Sequence, residues 1–307
     1  MGRIALKIDV DTWRGTREGV PRLVELLRAC RAEATFLFSL GPDHTGRAVL
    51  RALRPGFLKK VSRTSVLEHY GLRTLLYGSL LPGPDIGKRE AETLRAVRDA
   101  GFETGVHCWD HVRWQDKLLQ QDAAWAHTEM RRACDRYTAI FGAPPTVHGA
   151  AGWQFHDAAA NAEAALGIAY ASDTRGTHPF MPVDAGGTAI GPAQLPTTLP
   201  TLDEIIGTDG LTESTVHHRI LEQTQAHDQD HVYTLHAELE GMKLRPVLRS
   251  LIAGWQAQRH SLVSLGTLYR SLDTGSLPRH RIAQGEVPGR SGLLAVQGAR
   301  MADEQPA

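Results

Sequence analysis

Apolar positions recur at two spacings along the chain, and the two spacings alternate. Runs that read as strands occupy Arg3–Val10, Ala34–Leu40, Glu103–His107, Thr146–Ala150, Ile168–Ser172, Ala193–Pro196, Val232–His236 and Leu262–Ser264. Most are separated by segments of helical period. Val20–Arg31 places Leu23, Leu26, Leu27 and Cys30 on one stripe, and Lys88–Ala100 does the same with Ala91, Leu94 and Val97 before stopping at Gly101. Asp122–Phe141, Asp157–Leu166, Thr212–Ala226 and Lys243–Arg259 continue the series. Strand–helix alternation predicts an α/β fold, a parallel sheet crossed by helices. Seven or eight units predict a single distorted, closed or incomplete (β/α)7–8 barrel. Two stretches break the rhythm. Residues 46–87 form a long helical insert after the second strand. Residues 275–307, rich in Gly, Arg and Pro, read as a loosely ordered tail, which leaves 1–274 as the catalytic barrel.

Composition narrows the picture. A chain of 307 residues suits one barrel, and 42% hydrophobic residues can fill its core. The 34 basic residues balance 34 acidic ones, which argues against a nucleic-acid binder. Cys30, Cys108 and Cys134 form no CxxC, so neither a disulfide framework nor a thiolate zinc site is expected. The longest uncharged stretch, Ala185–Leu202, is broken by prolines and glycines and does not suit a membrane span. The strand pattern begins at once and leaves no room for a signal peptide. The expectation is a soluble or peripheral protein of a reducing compartment.

Three clusters carry candidate chemistry. On the first strand Ile4, Leu6, Ile8 and Val10 share one face, so Asp9 and Asp11 point together to the other. Two carboxylates that close repel unless a cation or a shared proton intervenes, although a polar strand end reads the same way. His107 and His111 stand four apart in His-Cys-Trp-Asp-His, a spacing that lets both bind one metal ion and that also arises by chance among 15 histidines. With a carboxylate from elsewhere they make a two-His, one-carboxylate site with open positions. His236 ends a late apolar strand, where an acid or base would sit, or where a buried histidine would simply be hydrogen-bonded. Each signal is weak alone. Together they fall at the C-terminal ends of strands one, three and seven, the usual active face of a parallel barrel.

Longer stretches sharpen this reading: IDVDTWRGTREGVPRL (Ile8–Leu23), FSLGPDHTGR (Phe38–Arg47), GVHCWDHVRWQ (Gly105–Gln115), AAGW (Ala150–Trp153), YASDTRGTHPF (Tyr170–Phe180), LPTTLPTLDEIIG (Leu195–Gly207) and YTLHAELEG (Tyr233–Gly241). On these the chain resembles the polysaccharide deacetylase (NodB-homology) family over nearly its whole length. Within that family it is most similar to the branch that deformylates a lipid-linked amino sugar. The resemblance implies a divalent-metal hydrolase that releases formate from a 4-formamido sugar carried on undecaprenyl phosphate, for lipid A modification and cationic-peptide resistance. It also implies roles: Asp9 as general base, Asp11, His107 and His111 as metal ligands, His236 as general acid, and Asp173 as a carboxylate orienting that acid. One departure stands out. Where the family carries Arg-x-Pro-x-Gly, this chain reads His148-Gly149-Ala150-Ala151-Gly152, so the cation that steadies the base must come from elsewhere, and Arg175 is the candidate. The competing readings are a deacetylase of other N-acyl amino sugars and an inactive barrel that binds a lipid-linked sugar.

Two features bear on the substrate. Arg14 and Arg17 follow the first strand and suit phosphate oxygens, as well as solvent. Between Arg47 and Arg73 seven basic residues face Glu68 alone, interleaved with apolar residues such as Leu53, Phe57 and Leu58. That pattern suits a helix lying on an anionic inner-membrane surface, or an ordinary solvated helix. The expected partners are thus the lipid-linked sugar and the cytoplasmic face of the inner membrane, with no nucleic acid and no protein partner evident.

Overall fold

β1 (Arg3–Val10) organises the molecule because both its faces are buried. Ile4, Leu6, Ile8 and Val10 turn toward a layer of helix residues that includes Leu23, Leu27, Leu248 and Leu251. Ala5, on the opposite face, joins Leu37, Val147, Tyr170, Leu195, Val232 and Val263 in a separate interior cluster. Two apolar layers on either side of a parallel sheet are what a barrel wall requires. The computed structural model describes residues 2–52, 73–225 and 229–301.

β1 pairs in parallel with β2 (Thr35–Ser39) on one side. β3 (Glu103–Cys108), β4 (Val147–His148), β5 (Tyr170–Ala171) and, beyond the short β6 (Met181–Pro182), β7 (Ala193–Gln194) continue the sheet. On the other side β1 pairs with β8 (His231–His236). β9 (Ser261–Val263) takes the first residues of β1, Arg3–Ala5, before β2 begins to pair at Lys7. The sheet order is therefore β7-β5-β4-β3-β2-β1-β8, with β9 beside β1. Between its edge strands the residues after β7 bridge the gap: Thr198 donates its N–H to Val232 O at 3.1 Å, and the hydroxyls of Thr197 and Thr234 meet at 2.7 Å. The barrel closes there by a few bonds rather than by a full ladder.

All eight expected strands are present, though three shrink to two residues each. The expected helix Lys88–Ala100 is split into Ile86–Arg89 and Ala91–Asp99, because Glu90 breaks the helical backbone and accepts a hydrogen bond from Trp13 Nε1 at 2.6 Å. One expectation is overturned. Residues 275–301 are not a loose tail: β10 (Arg279–Glu286) and β11 (Leu293–Arg300) form an antiparallel pair, extended by β6 into a second sheet, and 302–307 lie outside the described residues. Leu294 and Ala295 of β11 are buried, and the Gln154 side chain donates to Leu293 O, which fastens the pair to the barrel rim. The middle of the insert expected at 46–87, residues 53–72, lies outside the described residues. Its first helix, Thr45–Ala52, and its last turns around Thr74–Leu76 are described.

Candidate active site

Parallel strands end on one rim, so Asp9 and Asp11 from β1, His107 from β3 and His236 from β8 converge. They line one polar cavity of about 150 Å³ together with His111, Asp203, Trp153 and Arg290. His111 reaches it because Asp110 starts the following helix: its side chain accepts from Arg113 N at 3.0 Å, and its other oxygen meets His44 Nδ1 at 2.6 Å.

Asp11, His107 and His111 each place one potential ligand atom within 4.8 Å of the others, a group that could hold a metal ion. His107 Nδ1 is bonded to Gly149 O at 2.6 Å, which fixes the proton on Nδ1 and turns Nε2 toward Asp11 Oδ1 at 3.2 Å. His111 Nε2 lies 3.5 Å from the same oxygen. Donors sharing an ion at about 2.1 Å in tetrahedral geometry stand roughly 3.4 Å apart. Asp11 Oδ1 is buried and has no hydrogen bond, as an oxygen reserved for a cation would be. Burial holds the His111 imidazole below its usual range, in the neutral form that donates a lone pair. Burial would raise Asp11, but His111 and the His107 contact outweigh it and hold the carboxyl well below the usual range. The residues present fit a divalent ion. Cys108, between the ligands, is pushed far up by burial and bonded to Ser39 Oγ, so it remains a thiol.

The loop carrying Asp11 is braced from β8's far end. Glu238 Oε1 accepts from Asp11 N at 3.1 Å, Thr12 N at 2.8 Å and Thr12 Oγ1 at 2.7 Å. Burial and the charge of Asp11 raise Glu238 to about 8. Gly15 allows this approach, since a Cβ there would fall 1.9 Å from Glu238 Oε1. Two residues on, Glu240 accepts from His236 N at 2.9 Å, and burial raises it to about 7.

Asp9 and His236 flank the ligand set. Asp9 Oδ2 lies 3.2 Å from the buried Lys7 Nζ, while Asp9 Oδ1 has no hydrogen bond. Burial alone would lower His236, but Asp203, Asp11 and Glu240 outweigh it and raise it. Trp153 lines the same cavity, held with φ 52°, a strained value for a bulky residue. Its ring meets His236 edge-on at 6.4 Å and carries Lys7, Arg175 and Arg290 over it at 5.2, 5.1 and 4.8 Å.

Two expected roles differ, those of Asp173 and Arg175, and two expected substrate contacts, Arg14 and Arg17, lie off the cavity wall. Asp173 does not orient His236. It is bonded to His148 Nδ1 and Ala150 N, each at 2.8 Å, and to Gln194 Nε2 at 2.7 Å, because the two-residue β5 turns it toward β4. The carboxylate on the cavity wall whose charge His236 feels most is Asp203. Arg175 does not steady the base: it donates to Glu204 Oε1 at 2.6 Å and Leu199 O at 3.1 Å. Arg14 and Arg17 lie outside the cavity wall, Arg14 Nε 3.4 Å from Glu18 and Arg17 over the Trp13 ring at 5.2 Å. Sequence reasoning did not single out Lys7, Glu238, Asp203 or Arg290 for the site. Glu238 and Asp203 sat inside the stretches HAELEG and TLDEIIG. Lys7 sat on the same strand face as Asp9, which was the available signal.

A second acidic group, His148, Glu163 and Asp173, is wholly buried. His148 Nδ1 meets Glu163 Oε1 at 2.7 Å and Asp173 Oδ1 at 2.8 Å. These are hydrogen-bond lengths, shorter than the spacing of ligands around an ion, so this group is a proton-sharing network beneath the site.

No family model matches the chain. A protein of Shewanella sediminis named as 4-deoxy-4-formamido-L-arabinose-phosphoundecaprenol deformylase ArnD is 37% identical over 306 residues, 99% of this chain and 97% of that one. A protein of the same name from Wigglesworthia glossinidia brevipalpis is 31% identical over 287 residues, 92% and 98% of the two chains. Solved structures described as polysaccharide deacetylases share the fold. That of Mycobacterium smegmatis has TM-score 0.63 at 17% identity, covering 93% of this chain and 94% of its own. That of Pseudomonas aeruginosa PAO1 has TM-score 0.60 at 17%, covering 88% and 90%. The chain belongs to the ArnD family of 4-deoxy-4-formamido-L-arabinose-phosphoundecaprenol deformylases, built on the polysaccharide deacetylase barrel.

Proposed function

We propose that this protein hydrolyses the formamide of 4-deoxy-4-formamido-L-arabinose-phosphoundecaprenol, releasing formate and the 4-amino sugar on its carrier lipid. One observation carries the reading. A carboxylate and a histidine flank a three-residue ligand set in a single cavity, in a chain related along nearly its whole length to the named deformylases.

Asp11, His107 and His111 would hold a divalent ion, which supplies Lewis acidity for the formyl oxygen and makes a nearby water more acidic. The protein's own groups do the rest. Asp9 takes the proton of the attacking water on Oδ1, the oxygen that has no other partner. His236, raised by Asp203, Asp11 and Glu240, carries the proton the sugar nitrogen needs, because an amine does not leave as an amide anion. His107 stays in one tautomer through Gly149 O, which leaves its Nε2 facing Asp11. Trp153, buried beside His236 and tied by its Nε1 to Thr197 Oγ1 at 3.2 Å, lines the cavity against the acid. Asp173 meets His148, Ala150 N and Gln194, at the base of the loop that bears Trp153.

The carrier lipid does not leave a bilayer, so the protein must come to the headgroup. Peripheral association with the cytoplasmic face of the inner membrane, through the basic segment 46–87, meets that need. Among the described residues no helix is long and apolar enough to cross a membrane. Arg14 and Arg17, in the helical segment that follows β1, are the proposed contacts for the phosphate beyond the sugar.

Incubation with the lipid-linked formamido sugar, with and without chelator, tests the reaction: formate should appear and chelation should abolish it. Acetate from an N-acetyl sugar with no formate from the formamido sugar would replace the reading by a deacetylase. Flotation with anionic vesicles at low salt, reversed at high salt, tests the membrane contact.

A further inference from the structure

We infer that Lys7 is the positioning residue that holds Asp9 in place as the base, the task the sequence reading gave to an arginine. Lys7 is fully buried, an expensive location for a cation with no partner. Its Nζ lies 3.2 Å from Asp9 Oδ2, the ion pair this carboxylate makes within the cavity wall. Both residues point to the same face of β1, two positions apart, and the strand is pinned at Lys7 by Thr35 of β2 and Thr234 of β8. The ammonium cannot drift, because its stem is threaded through a fitted slot. A Cβ at Gly149 would stand 2.9 Å from Lys7 Cε, and the Trp153 ring covers Nζ at 5.2 Å. Gly149 directly follows His148, the β4 residue that stands where the resembled family has its arginine, so the room for the lysine lies beside the position that arginine would fill.

The pair also decides which oxygen works. His107 Nδ1 lies 3.8 Å from Asp9 Oδ1 but donates to Gly149 O instead. Lys7 therefore engages Oδ2 and leaves Oδ1 without a hydrogen bond. A buried ion pair adds little net stability over apolar residues of similar size. Its effect falls on orientation, where a displacement of about 1 Å costs on the order of 100-fold in rate.

This inference rests on the hydrolase reading, and its test separates the two. The variants are Lys7→Met, Asp9→Asn and the double variant Lys7→Met/Asp9→Asn. Each is assayed for formate release on the lipid-linked formamido sugar, for bound metal, and by thermal melting. If wild type releases acetate from an N-acetyl sugar instead, the formyl reading fails and the same cycle is run on that substrate. Lys7→Met is expected to lose about 100-fold in kcat with KM and metal content within about twofold of wild type. In the Asp9→Asn background the same change is expected to cost less than about twofold, since there is no base left to position. Loss of kcat under about threefold, or a full additive loss in the double variant, overturns the inference. Should Lys7→Met fail to fold with Asp9 left buried and unpaired, the double variant carries neither charge. Its kcat against Asp9→Asn then decides alone: equal values support the role, and a further drop of about tenfold or more overturns it.

Discussion

Arg290 Nη1 lies 2.9 Å from Asp203 Oδ2, joining the connection between β10 and β11 to the first turn of the helix Leu202–Ile205. The same guanidinium donates from Nε to Glu204 Oε1 at 2.8 Å and from Nη2 to Thr201 Oγ1 at 2.9 Å. It thereby fixes Asp203, the acidic wall residue that most raises His236. Arg290→Gln should keep bound metal but lower kcat about 10- to 100-fold, since an Asp203 no longer fixed in place misplaces the charge that His236 faces. Unchanged kcat would separate the second sheet from the chemistry.

Removing a ligand should remove the ion. Asp11→Ala or His111→Ala is expected to abolish stoichiometric binding of a divalent ion and formate release together, while thermal melting stays cooperative. Metal content by elemental analysis decides it. A variant that keeps its ion would take that residue out of the ligand set.

The flanking groups should separate binding from turnover. Asp9→Asn and His236→Ala are each expected to lower kcat by about 100- to 10,000-fold, with KM and metal content little changed. A loss expressed mainly in KM would make either residue a binding group.

The buried network under the site predicts a pH-dependent stability. Burial alone would lower His148, but Asp173 and Glu163 outweigh it and raise it to about 10 from 6.5. The folded chain thus binds a proton that the unfolded chain has released, and stability falls with rising pH in that interval. The contribution is complete below about 6.5 and gone above about 10. Glu163, raised by burial and by Asp173, acts in the same direction. The melting temperature should therefore fall between about pH 7 and 10, and His148→Gln should flatten the slope. Asp173→Asn should lower the melting temperature more than it alters kcat, since its oxygens meet His148, Ala150 and Gln194 rather than His236.

Local spacing made much of this legible. The alternation Ile4, Leu6, Ile8, Val10 gave β1 and both its aspartates, and the four-residue step from His107 to His111 gave a strand end followed by a helix start. What escaped was tertiary. Arg290 lies far from every other cavity residue in sequence, and no spacing points from it to Asp203. The Gly- and Arg-rich composition that suggested a loose tail instead supplies the turn of a hairpin, with Gly289 and Gly292 at positive φ. Asp173 misled because its place in the chain matched a family position, while its side chain is claimed by His148, the residue standing where that family has an arginine. Lys7 was visible on the Asp9 face but reads as solvent-bound until Gly149 and Trp153 show its slot.

The second sheet also sets an order of events during synthesis. Asp9 and Asp11 emerge first from the ribosome, His107 and His111 follow, and Arg290 is translated after every other contributor to the cavity. β1 in turn waits for β8 and β9, more than 200 residues later, before it has neighbours on all its edges. A growing chain can therefore carry the ligands for an ion long before it can hold the acid in place. The complete cavity wall is assembled only once the connection between β10 and β11 has been made and Arg290 has reached Asp203.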